Sequence, residues 1–205
     1  MSLLRKFNES EKKDRLATLP NLLTLSRAVG GVALGTLMAA KMVGPMEAFS
    51  FAAILGATDA EGNIIKFSEK YPRLQKALRI YPSKIGSDID PIADKALTIP
   101  VLIGGILSGE ISSVIATGLI ASEAITSGVT IAAKLKDKEP EVSNVGKLGM
   151  ISRVGTIGSN LLLSSVEGHS VLHNALETTT NVGFAASMGL GLYSAYTLYK
   201  ENFSK

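Results

Sequence analysis

Two acid-bearing stretches carry the chemistry open to this chain. One reads TDAEGNIIK over residues 58–66, at the end of an apolar segment; the other reads GSDIDPIAD over residues 86–94, at the start of the next. In a helix, Gly86, Asp90 and Asp94 recur at every fourth position, which lines two carboxylates along one face beside a bare patch of backbone. Thr58 and Glu61 share a face in the same way, and Gly62 stands four residues before Lys66. Carboxylates held where a membrane meets water are costly unless something cationic joins them. The simplest such partner is a divalent metal.

The elements that must position these acids are long and apolar. The chain has 205 residues, 46% of them hydrophobic, and a mean hydropathy of +0.27, which admits one or two soluble domains or one polytopic bundle. The distribution of the apolar residues selects the bundle. Residues 22–42, 91–108, 111–135, 150–166 and 182–199 each approach the roughly 20 residues that cross a hydrocarbon core, and residues 46–62 form a weaker sixth segment. The expected fold is all-α: a polytopic membrane bundle of six transmembrane helices over residues 20–205, with an N-terminal amphipathic surface helix over residues 1–19 and a cytoplasmic insertion at 66–86.

The absence of cysteine excludes a disulfide framework and a thiolate metal site. A net charge of +3 and a pI near 9.0 raise nucleic acid as a partner. The basic residues, however, lie between apolar spans, where anionic lipid and phosphate suit them better, so no nucleic acid is expected. With six spans and a cytoplasmic N-terminus, all of the 21 Lys and Arg residues except Lys41 fall inside or at an inner helix end. The outer connections then hold Lys41, Glu110, Glu167, His169, His173 and Glu177. This asymmetry predicts an integral protein of the cell inner membrane, N-in and C-in, with its acids facing the cytoplasm.

Along the chain, residues 1–19 set Leu3, Leu4, Phe7 and Leu16 among Arg5, Lys6, Lys12, Lys13 and Arg15. That pattern suits a helix lying on the inner membrane surface, and a solvated tail fits it equally. Pro20 and Asn21 open the first span, and Arg27 is near enough to the inner surface to snorkel back to it. Gly31 and Gly35 form a G-x-x-x-G that lets helices approach closely. Leu74, Ala77, Leu78 and Tyr81 recur at helical spacing opposite Arg73, Lys76 and Arg79, which predicts a short surface helix. Glu123 falls near mid-membrane and reads as a hydrogen bond between helices, with a catalytic role as the alternative. Lys147 and Arg153 cluster with glycine on the side of the carboxylates. His169 and His173 have a metal-compatible spacing but lie in an outer loop, away from the other polar residues. Tyr193, Tyr196 and Tyr199 end the last span as interfacial aromatics.

The two acid stretches together resemble the signature of the CDP-alcohol phosphatidyltransferase family, D-x-x-D-G-x-x-A-R followed by G-x-x-x-D-x-x-x-D. Gly86, Asp90 and Asp94 match the second half letter for letter. In the first half only Gly62 is identical: Thr58 stands for the first aspartate, Glu61 for the second, Ile65 for the alanine and Lys66 for the arginine. The spacer is longer than the family's, which a helical hairpin absorbs at little cost in loop closure. The segment PNLLTLSR at residues 20–27 looks like the family's first span, and Gly146-Lys147 like part of the basic element before its fifth.

The resemblance implies transfer of a phosphatidyl group from a CDP-linked lipid, such as CDP-diacylglycerol, to an alcohol or phosphorylated alcohol, with release of CMP, in phospholipid biosynthesis. By the same resemblance Glu61 and Asp90 are metal ligands for Mg or Mn, and Asp94 is the base that takes the acceptor's proton and a further ligand. Thr58 occupies a ligand position, and the adjacent Asp59 substitutes for it if the helix rotates there. Gly62 and Gly86 let the nucleotide approach the backbone, Lys66 faces a phosphate, and Lys147 and Arg153 bind a phosphorylated acceptor. A homodimer is implied as well. The alternative reading is a catalytically degenerate relative that binds nucleotide or lipid, or serves as a membrane scaffold.

Overall fold

The structure, a computed structural model, describes residues 18–58, 65, 67–81, 84–136, 144–166 and 171–203. The expected surface helix over residues 1–19 lies almost wholly outside them. The described residues are helical: α1 Leu19–Ala39, α2 Pro45–Ala57, α3 Pro72–Ala77, α4 Lys84–Ser108, α5 Ser113–Lys134, α6 Asn144–Ser164 and α7 Val171–Phe203. Among them, three segments are long and apolar enough to cross a bilayer: Leu19–Ala39, Ile89–Ser108 and Ser113–Lys134.

The helices carry their polarity inside out. On α1, Leu22, Leu25, Val29 and Val32 are exposed at helical spacing while Thr24 and Arg27 on the other face are buried. On α6, Ile151 and Val154 are exposed while Thr156, Ser159 and Asn160 are buried. In water such an arrangement would leave apolar faces unburied; in a bilayer the apolar face meets lipid and polar groups find partners between helices. The chain is an integral membrane protein on this pattern.

Two expectations concern shorter elements. The second segment is helical over the 13 residues Pro45–Ala57, and most of the stretch that follows Thr58 lies outside the described residues. The surface helix of the charged stretch forms, but as the six residues of α3. It ends because Arg79 takes a left-handed conformation (φ 51°), and the Arg79 carbonyl then accepts the Leu19 N–H at 3.3 Å, at the first residue of α1.

The chain divides into two compact units, one of Met1–Leu37 and Ser50–Val101, the other of Met38–Phe49 and Leu102–Lys205. In the first, α1 runs parallel to α4 along a seam where Gly31 and Gly35 replace side chains with backbone. A Cβ at Gly31 would stand 2.2 Å from Leu97 Cα and 2.6 Å from the Ala96 carbonyl oxygen, and one at Gly35 would stand 2.3 Å from the Pro100 carbonyl oxygen. Pro100 lies inside α4 and has no N–H, so the Ala96 carbonyl loses its helical donor there. The bare backbone of Gly31 packs against that same carbonyl.

In the second unit, α7 packs on α5 and α6 through small and hydroxylated residues. Ser152 Oγ donates to the Gly183 carbonyl at 2.9 Å, Thr180 Oγ1 to Ser159 Oγ at 2.9 Å, and Thr156 Oγ1 lies 3.5 Å from Ser187 Oγ. Asn160 Oδ1 accepts the Ser112 N–H at 3.3 Å, just before α5 begins. These bonds satisfy polar groups that have no water to turn to.

Candidate active site

Asp90 and Asp94 sit in the second and third turns of α4, four residues apart and therefore on one face. Both reach to α1, where their partner is Arg27. One guanidinium nitrogen, Nη2, donates to Asp90 Oδ1 at 3.0 Å, and the other, Nη1, donates to Asp94 Oδ1. Thr24, one turn before Arg27, donates its hydroxyl to the Pro20 carbonyl at 3.1 Å and lies 3.4 Å from Asp90 Oδ1.

The local sequence explains why Arg27 is where it is. Thr18 begins α1 as its cap: its carbonyl accepts the Leu22 N–H at 3.1 Å and its Oγ1 the Asn21 N–H at 3.4 Å, while Pro20 sits in the first turn, where it needs no donor. From there Thr24, Arg27, Gly31 and Gly35 follow at three- and four-residue steps down one face. The glycines set the distance to α4, and the two polar residues meet the acids one and two turns earlier.

Burial divides the roles in this cluster. Arg27 is 1% exposed, whereas the Asp90 and Asp94 side chains retain 29% and 28% of their surface. The cation lies behind and the carboxylates in front. The expectation that Arg27 snorkels to the surface is overturned, because a guanidinium with two carboxylates in reach gains more from a forked, charge-assisted pair than from a bent path to water. A basic residue inside a span needs a counter-ion, but which acid supplies it depends on the helix packed opposite.

Among the described residues no group of three or more His, Cys, Asp or Glu side chains comes together. Two carboxylates are enough for a magnesium-like ion, which is commonly held by one or two carboxylates together with substrate phosphates. Asp90 and Asp94 each meet their own nitrogen of the one Arg27 guanidinium, and a neighbouring carboxylate pair of this kind is a donor set that suits such an ion.

The remaining predicted site residues are distributed as follows. Asp59, Glu61, Gly62 and Lys66 lie outside the described residues. Thr58 is at the end of α2, where its hydroxyl donates to the Leu55 carbonyl at 2.6 Å. Gly86 is on α4, one turn before Asp90. Lys147 is in the first turn of α6, its side chain outside the description. Of the two histidines singled out for their spacing, His173 is described, with Nδ1 3.4 Å from the Val166 carbonyl.

Arg153 belongs to the second unit, on α6, and its Nη1 is paired with Glu123 Oε2 of α5. Both side chains are largely buried, at 13% and 15% exposure. Glu123 thus makes the contact between helices expected of it, and the contact is an ion pair. Beside it Ser122 Oγ and Arg153 Nε are buried without a hydrogen-bond partner among the described residues, and Gly191 leaves the space that Ser122 fills: a Cβ there would stand 2.3 Å from Ser122 Oγ.

A family model described as CDP-alcohol phosphatidyltransferase matches residues 79–187, just over half of the chain. The match takes in Gly86, Asp90 and Asp94 and begins after the stretch from Thr58 to Lys66. No curated protein and no solved structure matches the chain. With a forked Arg27 pair behind two part-exposed aspartates on an apolar helix, and the family match centred on that helix and its successors, the chain belongs to the CDP-alcohol phosphatidyltransferase family.

Proposed function

We propose that the protein transfers a phosphatidyl group from a CDP-linked lipid of the CDP-diacylglycerol kind to an alcohol, releasing CMP, as a step of phospholipid synthesis. The observation that carries this reading is the pair of part-exposed carboxylates, Asp90 and Asp94, held side by side by Arg27. In the reaction the acceptor oxygen bonds to the lipid-linked phosphorus, the bond from that phosphorus to the bridging oxygen breaks, and CMP leaves with the bridging oxygen. Asp94 accepts the hydroxyl proton as the new bond forms, a role that requires it to be ionised and within hydrogen-bond reach of the acceptor. Asp90 would help to hold the cation.

Family members generally use a divalent metal. Asp90 and Asp94 would hold Mg or Mn here together with Glu61 and either Asp59 or Thr58; the ion supplies neutralisation of the diphosphate charge and of the leaving CMP. Gly62 and Gly86 admit the nucleotide close to the backbone, and Lys66 meets a phosphate as a point charge where the family's Arg is a fork. Lys147 binds a phosphorylated acceptor together with Arg153, whose charge is already shared with Glu123. Six crossings with both termini inside and a cytoplasmic active site complete the reading, supported by the confinement of every Lys and Arg except Lys41 to one side; the family resemblance adds a homodimer.

The test is CMP release from CDP-diacylglycerol by the purified protein, across glycerol phosphate, inositol phosphate, serine and simple alcohols as acceptors. Release that requires Mg or Mn and is abolished in Asp94→Asn is expected; release unaffected by that change would remove the mechanism. A second reading, a relative that binds nucleotide or lipid without turnover, is favoured by one observation: the Thr58 hydroxyl is engaged with the Leu55 carbonyl, and a hydroxyl is a poor replacement for a carboxylate ligand. Thr58→Asp separates the two readings. A rise in release supports the active enzyme, and no release from either form with any acceptor supports the non-catalytic relative.

A further inference from the structure

Arg27 is neither a ligand for a metal nor a surface cation, and a buried guanidinium at the back of a metal-compatible acid pair has a consequence for how that pair is loaded. Asp90 and Asp94 contribute a charge of −2 to the site, and Arg27, in contact with both, offsets one unit of it. Both carboxylates give an oxygen to the same guanidinium. A divalent ion that draws on those carboxylates must share their negative charge with a cation already in contact with them, and at contact distance the repulsion persists because the guanidinium, unlike the part-exposed carboxylates, is buried.

The guanidinium cannot withdraw. At 1% exposure it has no route to water without the α1–α4 seam opening, and at Gly31 and Gly35 that seam is backbone against backbone. It also cannot lose its proton, since an arginine stays charged at any working pH. Arg27 is therefore a fixed counter-ion, unlike a lysine or histidine that could neutralise itself when a metal arrives.

We infer that Arg27 makes divalent-cation binding at Asp90 and Asp94 depend on the nucleotide diphosphate, so that cation and nucleotide load together rather than cation first. The diphosphate restores the negative charge that Arg27 removes and adds oxygen ligands. By linkage, the factor by which the nucleotide tightens the cation equals the factor by which the cation tightens the nucleotide. This assignment rests on the reading of the acid pair as the metal and nucleotide site, and it concerns binding and not turnover.

The experiment measures Mn²⁺ binding to the purified protein in detergent by electron paramagnetic resonance, at one fixed, mildly alkaline pH, with and without CDP. Wild-type protein should bind Mn²⁺ at least tenfold more tightly with CDP present, on the order of ordinary coupling between sites. Arg27→Met should bind Mn²⁺ alone at least tenfold more tightly than wild type and show a CDP effect reduced to a few-fold, the size expected from removing one unscreened charge. Mn²⁺ affinity in Arg27→Met that is unchanged or weaker than wild type overturns the inference, since Arg27 would then be arranging the ligands and not competing for them. If Arg27→Met does not fold, Arg27→Lys decides: an ammonium lacks the fork that spans both acids, so Mn²⁺ alone should bind roughly threefold or more tighter, and no gain overturns the inference. These titrations read cation and nucleotide affinity without turnover, so a wild-type protein that releases no CMP would defeat the transferase reading while leaving this result to stand or fall by itself.

Discussion

Gly31→Ala is the substitution that tests how the acid pair is positioned. The added methyl carbon would lie 2.2 Å from Leu97 Cα, 2.6 Å from the Ala96 carbonyl oxygen and 2.9 Å from Leu97 N. All three are backbone atoms of α4 and cannot rotate aside. Restoring a carbon–carbon contact of ~3.5–4.0 Å requires α1 to withdraw by about 1.4 Å at that point. Arg27 is one turn away on the same helix, so its 3.0 Å bond to Asp90 would stretch beyond ~4 Å, outside hydrogen-bond range. Overpacking of this kind costs about 1–3 kcal/mol, and loosening the buried pair brings the loss to about 2–5 kcal/mol. A displacement of the carboxylates on the order of 1 Å should lower turnover about 100-fold. Thermal unfolding in detergent micelles measures the first effect and CMP release in mixed micelles the second. Gly128→Ala on α5 is the matched control, because a Cβ there meets nothing within 4 Å and should gain up to ~1 kcal/mol from helix propensity. A Gly31→Ala protein that melts with Gly128→Ala and keeps its CMP release would refute the claim that glycine-to-backbone contact holds the acids in register.

Other outcomes follow from the remaining contacts. Glu123→Ala should destabilise the protein by about 3–5 kcal/mol, because it strands the buried Arg153 guanidinium, whereas the double change Glu123→Leu/Arg153→Met should cost much less; chemical unfolding of the single and double variants gives the coupling directly. Glu110, in the turn between α4 and α5, has its carboxyl pushed above the ordinary range by burial, opposed by a hydrogen bond from Ser108, with Glu47 adding to the rise and Lys41 opposing it. A raised carboxyl is a liability once ionised: its cost is absent below the unfolded value and grows as pH rises through the folded one. Glu110→Gln should therefore melt with wild type in acid and above it at neutral pH, a difference to be followed by thermal unfolding across pH. Thr180→Val removes the donor to Ser159 Oγ and should lower stability by about 1 kcal/mol, measured in the same way.

The membrane setting was legible in the chain because it is written in composition and order. Apolar runs of bilayer length need no partner to be recognised, and α1, α4 and α5 formed where the runs lay. Gly86, Asp90 and Asp94 were legible for a similar local reason: a four-residue step puts side chains on one face of any helix, whatever that helix later packs against. The limit appeared wherever the answer depended on which helix lies opposite. Arg27 is one to two turns inside a span, and from its own neighbours a bent path to water and a buried pair look alike; only the parallel alignment of α1 with α4, set by Gly31 and Gly35 against backbone, brings it to Asp90 and Asp94. Arg153 likewise carried the same sequence signal as a phosphate-binding cation, and it took the packing of α5 and α6 to join it to Glu123. Charge pairing acts across space over a few ångströms, while sequence spacing reports only neighbours along one helix, so the counter-ions had to come from the tertiary structure.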